Sequence, residues 1–403
     1  MTIEVVGLGV DADSLPEDHN DVVESAQVLV GGKRQLALFD DHPAEKVLIT
    51  APLGDIFERI GQYEAKGRSV VVLADGDPLF YGIGATLVDE FGPEGVHILP
   101  NITSLQAAAA RAKVPWQGVK VVSLHGRDDM RPLMQALLQS PWVCVLTDGK
   151  SIPSSIAQWL LDRGADWFFV WVFENMGQSN EHFDRYTLKE AVQRSFSSLN
   201  TVLIERRGGP ERILAPGIPD EELATEGKLI TKWPVRAAGL AALRISHGMT
   251  VWDLGAGSGA VGIEASCLAG EGVVWCVERK ASRVEHIRTN RRRFGALQVE
   301  VMHGTMPACL TDLPDPDRVF IGGGLGNGDK VLREACARLK PGGRIVTHCV
   351  LLGSLNRARE LFAEMGWTCE ITHVQASAAV PLAGDLRFDA HNPVFILAAQ
   401  RPE

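Results

Sequence analysis

The sequence is short of several things, and each shortage narrows what the chain can be. No apolar run approaches the roughly 20 residues that cross a bilayer, which excludes a spanning helix and predicts that no membrane is a partner. The opening MTIEVVGLGV has neither the basic stretch nor the cleavage pattern of a signal peptide, so a cytoplasmic chain is expected. The cysteines, Cys144, Cys267, Cys276, Cys309, Cys336, Cys349 and Cys369, are odd in number and form no C-x-x-C. That argues against a disulfide framework or a metal site and for reduced, mostly buried thiols. Excess positive charge is missing too. The net charge is −10; residues 1–205 hold 16 Lys+Arg against 28 Asp+Glu, and residues 206–403 hold 24 against 22. An acidic first half argues against nucleic acid as a partner, because phosphate contacts need a basic surface.

What is present reads as two α/β modules. The 403 residues are 45% hydrophobic and 22% charged, enough for two cores. In the first half, β-rich runs at 2–7, 69–74, 96–99, 119–124, 143–147, 167–173 and 201–204 alternate with helical spacing, which predicts a largely parallel sheet. Residues 206–222 are rich in Pro and Gly and lack periodicity, so a domain at 1–205, a linker at 206–222 and a domain at 223–403 are expected. The second half restarts the alternation with seven candidate strands at 250–254, 272–277, 299–303, 318–321, 344–348, 368–374 and 394–399. Seven strands with helices between them predict a doubly wound open sheet that binds ligands at the carboxyl ends of its strands.

Val251-Trp252-Asp253-Leu254-Gly255-Ala256-Gly257-Ser258-Gly259 joins a strand to a helix. Glycines let a ligand approach the backbone, and the following helix offers its positive end. G-x-G-x-x-A also fits a dinucleotide site, so a nicotinamide-dependent oxidoreductase stays open. Two acidic residues bear on the choice. Asp253 would repel a pyrophosphate but can pair with the amino group of S-adenosylmethionine (SAM). Glu278, at the end of the next strand, can accept from two ribose hydroxyls. Met306 can pack on an adenine, and Gly322 to Gly324 leave room for a planar substrate. Lys232 and Arg236 precede the first strand, and Arg288, Arg291, Arg292 and Arg293 cluster at a helix end. All are candidates for docking acidic groups, and the cluster keeps an RNA methyltransferase open as an alternative. His303 and His348, at strand ends, are the candidate acid–base groups; a core or capping role is the plainer reading of each.

In the first half, three loops fall at strand ends: Val6-Gly7-Leu8-Gly9, Asp75-Gly76-Asp77-Pro78-Leu79-Phe80-Tyr81-Gly82, and Pro100-Asn101-Ile102-Thr103-Ser104. Together they predict a cleft. Ser104 can cap the helix that begins near Leu105.

These segments carry a resemblance. VVGLG, ADGDPLFYGIG, PNITSLQAAAARA and SLHGR make the first half similar to the tetrapyrrole (corrin/porphyrin) methylase family. LITKWPVRAAGLAALR, VWDLGAGSGAVGIEAS, CVERKASRVEHIRTNRRRFG, VFIGGG and RLKPGGRIV make the second half resemble the decarboxylating precorrin methylases, with a Rossmann-like class I SAM methyltransferase fold. The resemblance implies a bifunctional methyltransferase of cobalamin biosynthesis, acting on a small-molecule tetrapyrrole and using SAM in each domain, as a homo-oligomer. It assigns carbon 5 methylation to the first domain. To the second it assigns carbon 15 methylation and decarboxylation of the ring C acetate. Cofactor contacts would fall at Asp75, Asp77, Phe80, Thr103 and Ser104, and at Thr231, Gly255, Ala256, Gly257, Ser258, Gly259, Glu278 and Met306. Substrate carboxylates would meet Lys232, Arg236 and Arg291. Where many relatives have G-D-A-P, this chain has Gly304-Thr305-Met306-Pro307, so no aspartate stands there for the adenine amino group.

Overall fold

The computed structural model describes every residue except 1, 11–14, 125, 127–128, 228–229 and 324–327. Part of SLHGR, Leu229 and Gly324 therefore lie outside the described residues. The chain divides into two compact units, Met1–Gln158 with Phe168–Arg206, and Trp159–Trp167 with Arg207–Glu403.

The first unit contains two five-stranded sheets. One is all parallel, in the order β3 (Glu45–Leu48), β2 (Val28–Gly31), β4 (Val70–Asp75), β1 (Ile3–Leu8), β5 (Val96–Leu99). Its central strands are nearly unbroken apolar runs such as Val70-Val71-Val72-Leu73-Ala74, all buried, because helices cover both faces. The other sheet runs β6 (Lys120–Ser123), β7 (Trp142–Leu146), β10 (Asn200–Arg206), β8 (Phe168–Glu174), β9 (His182–Thr187). Here only β6 and β7 are parallel; the remaining pairs are antiparallel. The expectation of a largely parallel arrangement thus fails for this sheet. Between β8 and β9 the chain makes a short loop with no crossover helix, so the pair closes as a hairpin. β2, β3 and β9 escaped the sequence reading; β9 is an edge strand with mostly exposed side chains, which leaves no buried alternation to read.

In the second unit the seven expected strands form one sheet. Its order is β13 (Val299–His303), β12 (Val273–Glu278), β11 (Thr250–Leu254), β14 (Arg318–Ile321), β15 (Arg344–Cys349), β19 (Val394–Gln400), β16 (Thr368–Val374). The first five are parallel, and β19 pairs antiparallel with both neighbours. Chain order reverses between β11 and β14, and that switch point opens a crevice at the carboxyl edge. A two-stranded hairpin, β17 (Ser377–Leu382) and β18 (Asp385–Ala390), was not foreseen; nearly all of it is exposed.

The expected linker ends inside the second unit. Ile218 and Leu223 are 4% and 5% exposed in its core, and Ile218 N–H donates to Glu264 Oε1 at 2.9 Å.

Candidate active sites

In the first unit the three predicted loops are stitched to one another. Gly76 N–H donates to Leu8 O at 2.6 Å and Asn101 N–H to Gly76 O at 3.2 Å. Asn101 Nδ2 reaches Gly7 O at 3.1 Å. Gly76 has φ +57°, and a Cβ there would come 2.9 Å from Thr103 Cα, so the close approach of the loops requires glycine. Thr103, not Ser104, caps the helix Ser104–Ala112. Its Oγ1 accepts from Gln106 N–H at 3.2 Å, and Gln106 Oε1 accepts from Thr103 N–H at 2.9 Å.

These loops border a cavity of about 620 Å³, a size suited to a small molecule. Asp75, Phe80, Thr103 and Ser104 line it, as does Gly76. Asp77 is not in the lining; its Oδ1 accepts Leu79 N–H at 2.8 Å and shapes the turn. Residues that sequence reasoning missed come from two places. Arg34 and Gln35 lie on the wall, and both hold Asp75, at 2.5 and 3.0 Å. Phe173, Met176, Thr147 and Asn200 come from the second sheet and its loops, with Thr147 Oγ1 donating to Asn200 Oδ1 at 2.9 Å. No local signal marks these four, because antiparallel pairing of distant segments brings them in.

The second unit's cavity, about 530 Å³, lies at the carboxyl edge of β11 to β14 and is lined by Gly255, Glu278, Arg279, Thr305, Met306, Gly323 and Lys330 among others. Gly255 has φ +75°, and a Cβ there would sit 3.1 Å from Gly323 Cα, so only glycine permits this turn. The helix Ala260–Ala269 starts just behind the loop with no side-chain cap on its first N–H groups. Buried Asn290 braces the loop from behind, donating to Ser258 O at 2.9 Å.

Glu278 is 4% exposed and is occupied with backbone. Gly257 N–H donates to its Oε2 at 3.0 Å, and the N–H groups of Arg279 and Lys280 to its Oε1 at 2.9 and 3.0 Å. Three of about four acceptor positions are thus used, leaving one for a hydroxyl, not the two expected. Asp253 departs further from expectation. It is 1% exposed, turned under the loop, and its Oδ2 accepts Gly262 N–H at 2.8 Å inside the helix. Burial pushes its carboxyl up to about 7; the Gly262 bond opposes the rise and the Glu278 charge adds to it. It cannot reach a ligand's amino group in the cavity.

The docking candidates separate. Arg236 is wholly buried. Its Nε donates to Glu264 Oε1 at 2.7 Å, one Nη to Asp220 Oδ1 at 3.1 Å and Thr231 O at 2.7 Å, and the other to Ile218 O. It ties Ile218, Asp220 and Thr231 to Glu264 in the core and is not a rim residue. Thr231 is half-buried on this tether and does not line the cavity. Arg291 is 5% exposed, with one Nη on Val299 O at 3.1 Å; burial pushes it down to about 10. Facing inward, it cannot dock a carboxylate. Lys232 stays at the surface, 3.4 Å from Asp220. Arg288 pairs with Glu285 at 2.5 Å at the surface, and Arg293 donates to Glu222 O at 2.7 Å. His303 is exposed at the end of β13, its Nε2 3.1 Å from Arg279 O. His348 is largely buried, edge-on to Phe320 at 4.6 Å, and burial pushes it down to about 4. Among the described residues, no cluster of metal-ligating side chains occurs.

Comparison with known proteins matches this layout. The tetrapyrrole (corrin/porphyrin) methylase profile covers residues 2–192, and the precorrin methyltransferase domain profile covers residues 222–401. A precorrin-6Y C(5,15)-methyltransferase [decarboxylating] from a Sinorhizobium species is 33% identical over 359 residues, covering 86% of this chain and 84% of its own. This chain belongs to that family. Shorter relatives match 46% of it. One is a probable cobalt-precorrin-6B C(15)-methyltransferase (decarboxylating) from Sulfolobus acidocaldarius, 32% identical over 98% of its length. Another is a cobalt-precorrin-7 C(5)-methyltransferase from Salmonella typhimurium, 33% identical over 90% of its length.

Proposed function

We propose that the chain converts precorrin-6B to precorrin-8X, methylating carbons 5 and 15 of the macrocycle and releasing the ring C acetate carboxylate as carbon dioxide. The first unit would act at carbon 5, and the second at carbon 15 and on the acetate. One observation carries this reading: each unit has its own small-molecule cavity at the carboxyl ends of parallel strands, and relatives half as long carry the two names separately.

SAM, bound in each cavity, would supply an electrophilic methyl on its sulfonium. The residues present fit such a ligand. In the second cavity Gly255 lets it approach the backbone, Glu278 keeps one acceptor position for a ribose hydroxyl, and Met306 offers an apolar face. In the first, Thr103, Ser104 and Phe80 provide the wall. The chain's task is alignment and exclusion of water, since an electron-rich macrocycle carbon needs no side-chain nucleophile. Arg34 in the first cavity, and Arg279, Arg283 and Lys330 in the second, are basic groups placed to meet substrate carboxylates.

The reading includes a cytoplasmic homo-oligomer with neither nucleic acid nor membrane as a partner. The exposed Leu382, Leu386 and Phe388 of the β17–β18 hairpin, the last 78% exposed, support self-association. No helix among the described residues is long and apolar enough to cross a membrane. Incubation with precorrin-6B and SAM, read by mass spectrometry, tests the function. Two methyl gains with loss of one carbon dioxide are expected; a hydride change without methyl gain would defeat the reading.

A further inference from the structure

One residue in the wall of the first cavity holds a strained backbone without burying its side chain. Tyr81 has φ 55°, in the left-handed region that bulky residues rarely adopt. The turn around it is tight: a Cβ on Gly82 or Gly84 would come 2.5 or 2.7 Å from Pro78 O. The ring carried by this backbone is fixed at two points. Its hydroxyl donates to Val121 O of β6 at 3.1 Å, reaching from the loop after β4 to the second sheet. Its body stands edge-on to Phe80, with centroids 5.3 Å apart and planes at 87°. Phe80 packs against a core that includes Phe173 and Met176, whereas Tyr81 stays 58% exposed.

Strain of this kind persists where the surroundings over-determine a conformation, and it points to function when stability gains little from it. A half-exposed ring removes little surface from water, and one exposed hydroxyl bond contributes little net. The place of Tyr81 supplies the missing reason. Tyr81 and Ile102, the latter 54% exposed, are the two exposed apolar side chains among the described residues that line this cavity. Arg34 lies on the same wall; one Nη pairs with Asp75 at 2.5 Å, and the guanidinium has further N–H groups to give. A cavity of about 620 Å³ suits one small molecule, so with a methyl donor inside, the second reactant sits at the mouth. There it meets an apolar face and a cation together. A flat macrocycle that bears carboxylates carries the counterpart of each.

We infer that the Tyr81 ring is a specificity-determining platform of the first unit: the face of the tetrapyrrole rests on it and on Ile102, while a carboxylate of the same molecule turns to Arg34. This rests on the proposed carbon 5 methylation by the first unit. A ring fixed in advance needs no ordering when the substrate arrives. A rigid platform also sets how far the reacting carbon lies from the methyl group. The hydroxyl holds the ring in place and does not touch the reacting atoms.

Tyr81→Asn and Tyr81→Phe in the full chain test the inference. Asparagine tolerates the left-handed backbone and removes the ring; phenylalanine keeps the ring and removes only the hydroxyl. With precorrin-6B and SAM, mass spectrometry separates the two units. Carbon dioxide loss counts the second unit's turnover, and methyl gain beyond it counts the first's. Tyr81→Asn is expected to raise the KM of carbon 5 methylation about tenfold. Its S-adenosylhomocysteine binding by calorimetry, its carbon dioxide release and its urea midpoint should match the parent's. Tyr81→Phe should stay within about threefold of the parent KM. A parent-like KM in Tyr81→Asn would overturn the inference. So would a loss of S-adenosylhomocysteine affinity as large as the rise in KM, which would make the ring part of the cofactor's wall. Equal losses in both variants, with lowered urea midpoints, would also overturn it and leave Tyr81 as a tie between the sheets. If the parent itself gained no methyl beyond the one that accompanies carbon dioxide loss, the carbon 5 reading would fall and take the inference with it. That result appears in the parent alone, so neither variant's outcome can be confused with it.

Discussion

The first unit frames its cavity with loops from two different sheets, one parallel and one mixed, and its wall charges, Asp75 and Arg34, are exposed and pair with each other. The second unit builds its cavity on one sheet edge and places ionisable groups behind the wall: Asp253, Glu264 and Arg236 are each at most 1% exposed. A cleft between sheets is shaped by how distant segments pair. A cleft at a switch point is shaped by a single glycine turn and by whatever holds that turn from beneath. The same small-molecule problem thus has one solution spread along the chain and one concentrated in it.

The comparison breaks most sharply at the two required glycines. Gly255→Val meets Gly323 Cα at 3.1 Å with φ +75°, and Gly76→Val meets Thr103 Cα at 2.9 Å with φ +57°. Each should weaken S-adenosylhomocysteine binding at its own site by roughly 100-fold or more, about 2.8 kcal/mol. Mass spectrometry of the product should then show one methyl gained, not two, with carbon dioxide loss surviving only in Gly76→Val. Loss of both methylations from either single change, in a chain that still folds by circular dichroism, would mean the sites do not work separately.

Ion pairs sharpen the contrast. Arg236 and Glu264 are wholly buried, whereas Arg111 and Glu181 of the first unit pair through two nitrogens while a quarter exposed. Arg236→Met leaves Glu264 buried without its partner and should cost about 3–5 kcal/mol. Arg111→Met should cost about 1 kcal/mol or less, because water screens that pair. Urea unfolding of the full chain checks both, and equal costs would erase the distinction. Arg236→Met/Glu264→Leu should recover much of the loss, since neither charge is then stranded.

What the sequence revealed of these sites follows the same division. The Gly255 turn and Glu278 were legible because strand, turn and helix are neighbours in sequence. Likewise the three loops of the first cavity announced themselves as turns at strand ends. Thr147 and Asn200 were not legible, since only the pairing of β7 with β10 brings them together, 53 residues apart. Arg236 and Arg291 misled for another reason: residue type gives charge but not depth, and the partner that buries Arg236 lies 28 residues on, inside an apolar helix. The β17–β18 hairpin was missed because it packs on no core face and so shows no buried alternation.

The smallest expected effect concerns Asp253, and its sign separates the two designs. Burial raises this carboxyl to about 7, well above the value near 4 of an unfolded chain. Between those limits the folded unit holds a proton that the unfolded chain has released. The stabilisation is therefore complete below about pH 4 and is lost as pH rises through 7. Asp253→Asn keeps an oxygen for the Gly262 N–H and removes the titration. It should be near neutral at pH 5 and stabilising at pH 8, by on the order of 1–3 kcal/mol. Urea midpoints at pH 5 and pH 8 decide the matter. An Asp253→Asn effect of the same size at both would show that the carboxylate is charged where it lies, and that hidden charge behind the wall does not distinguish the second cleft from the first.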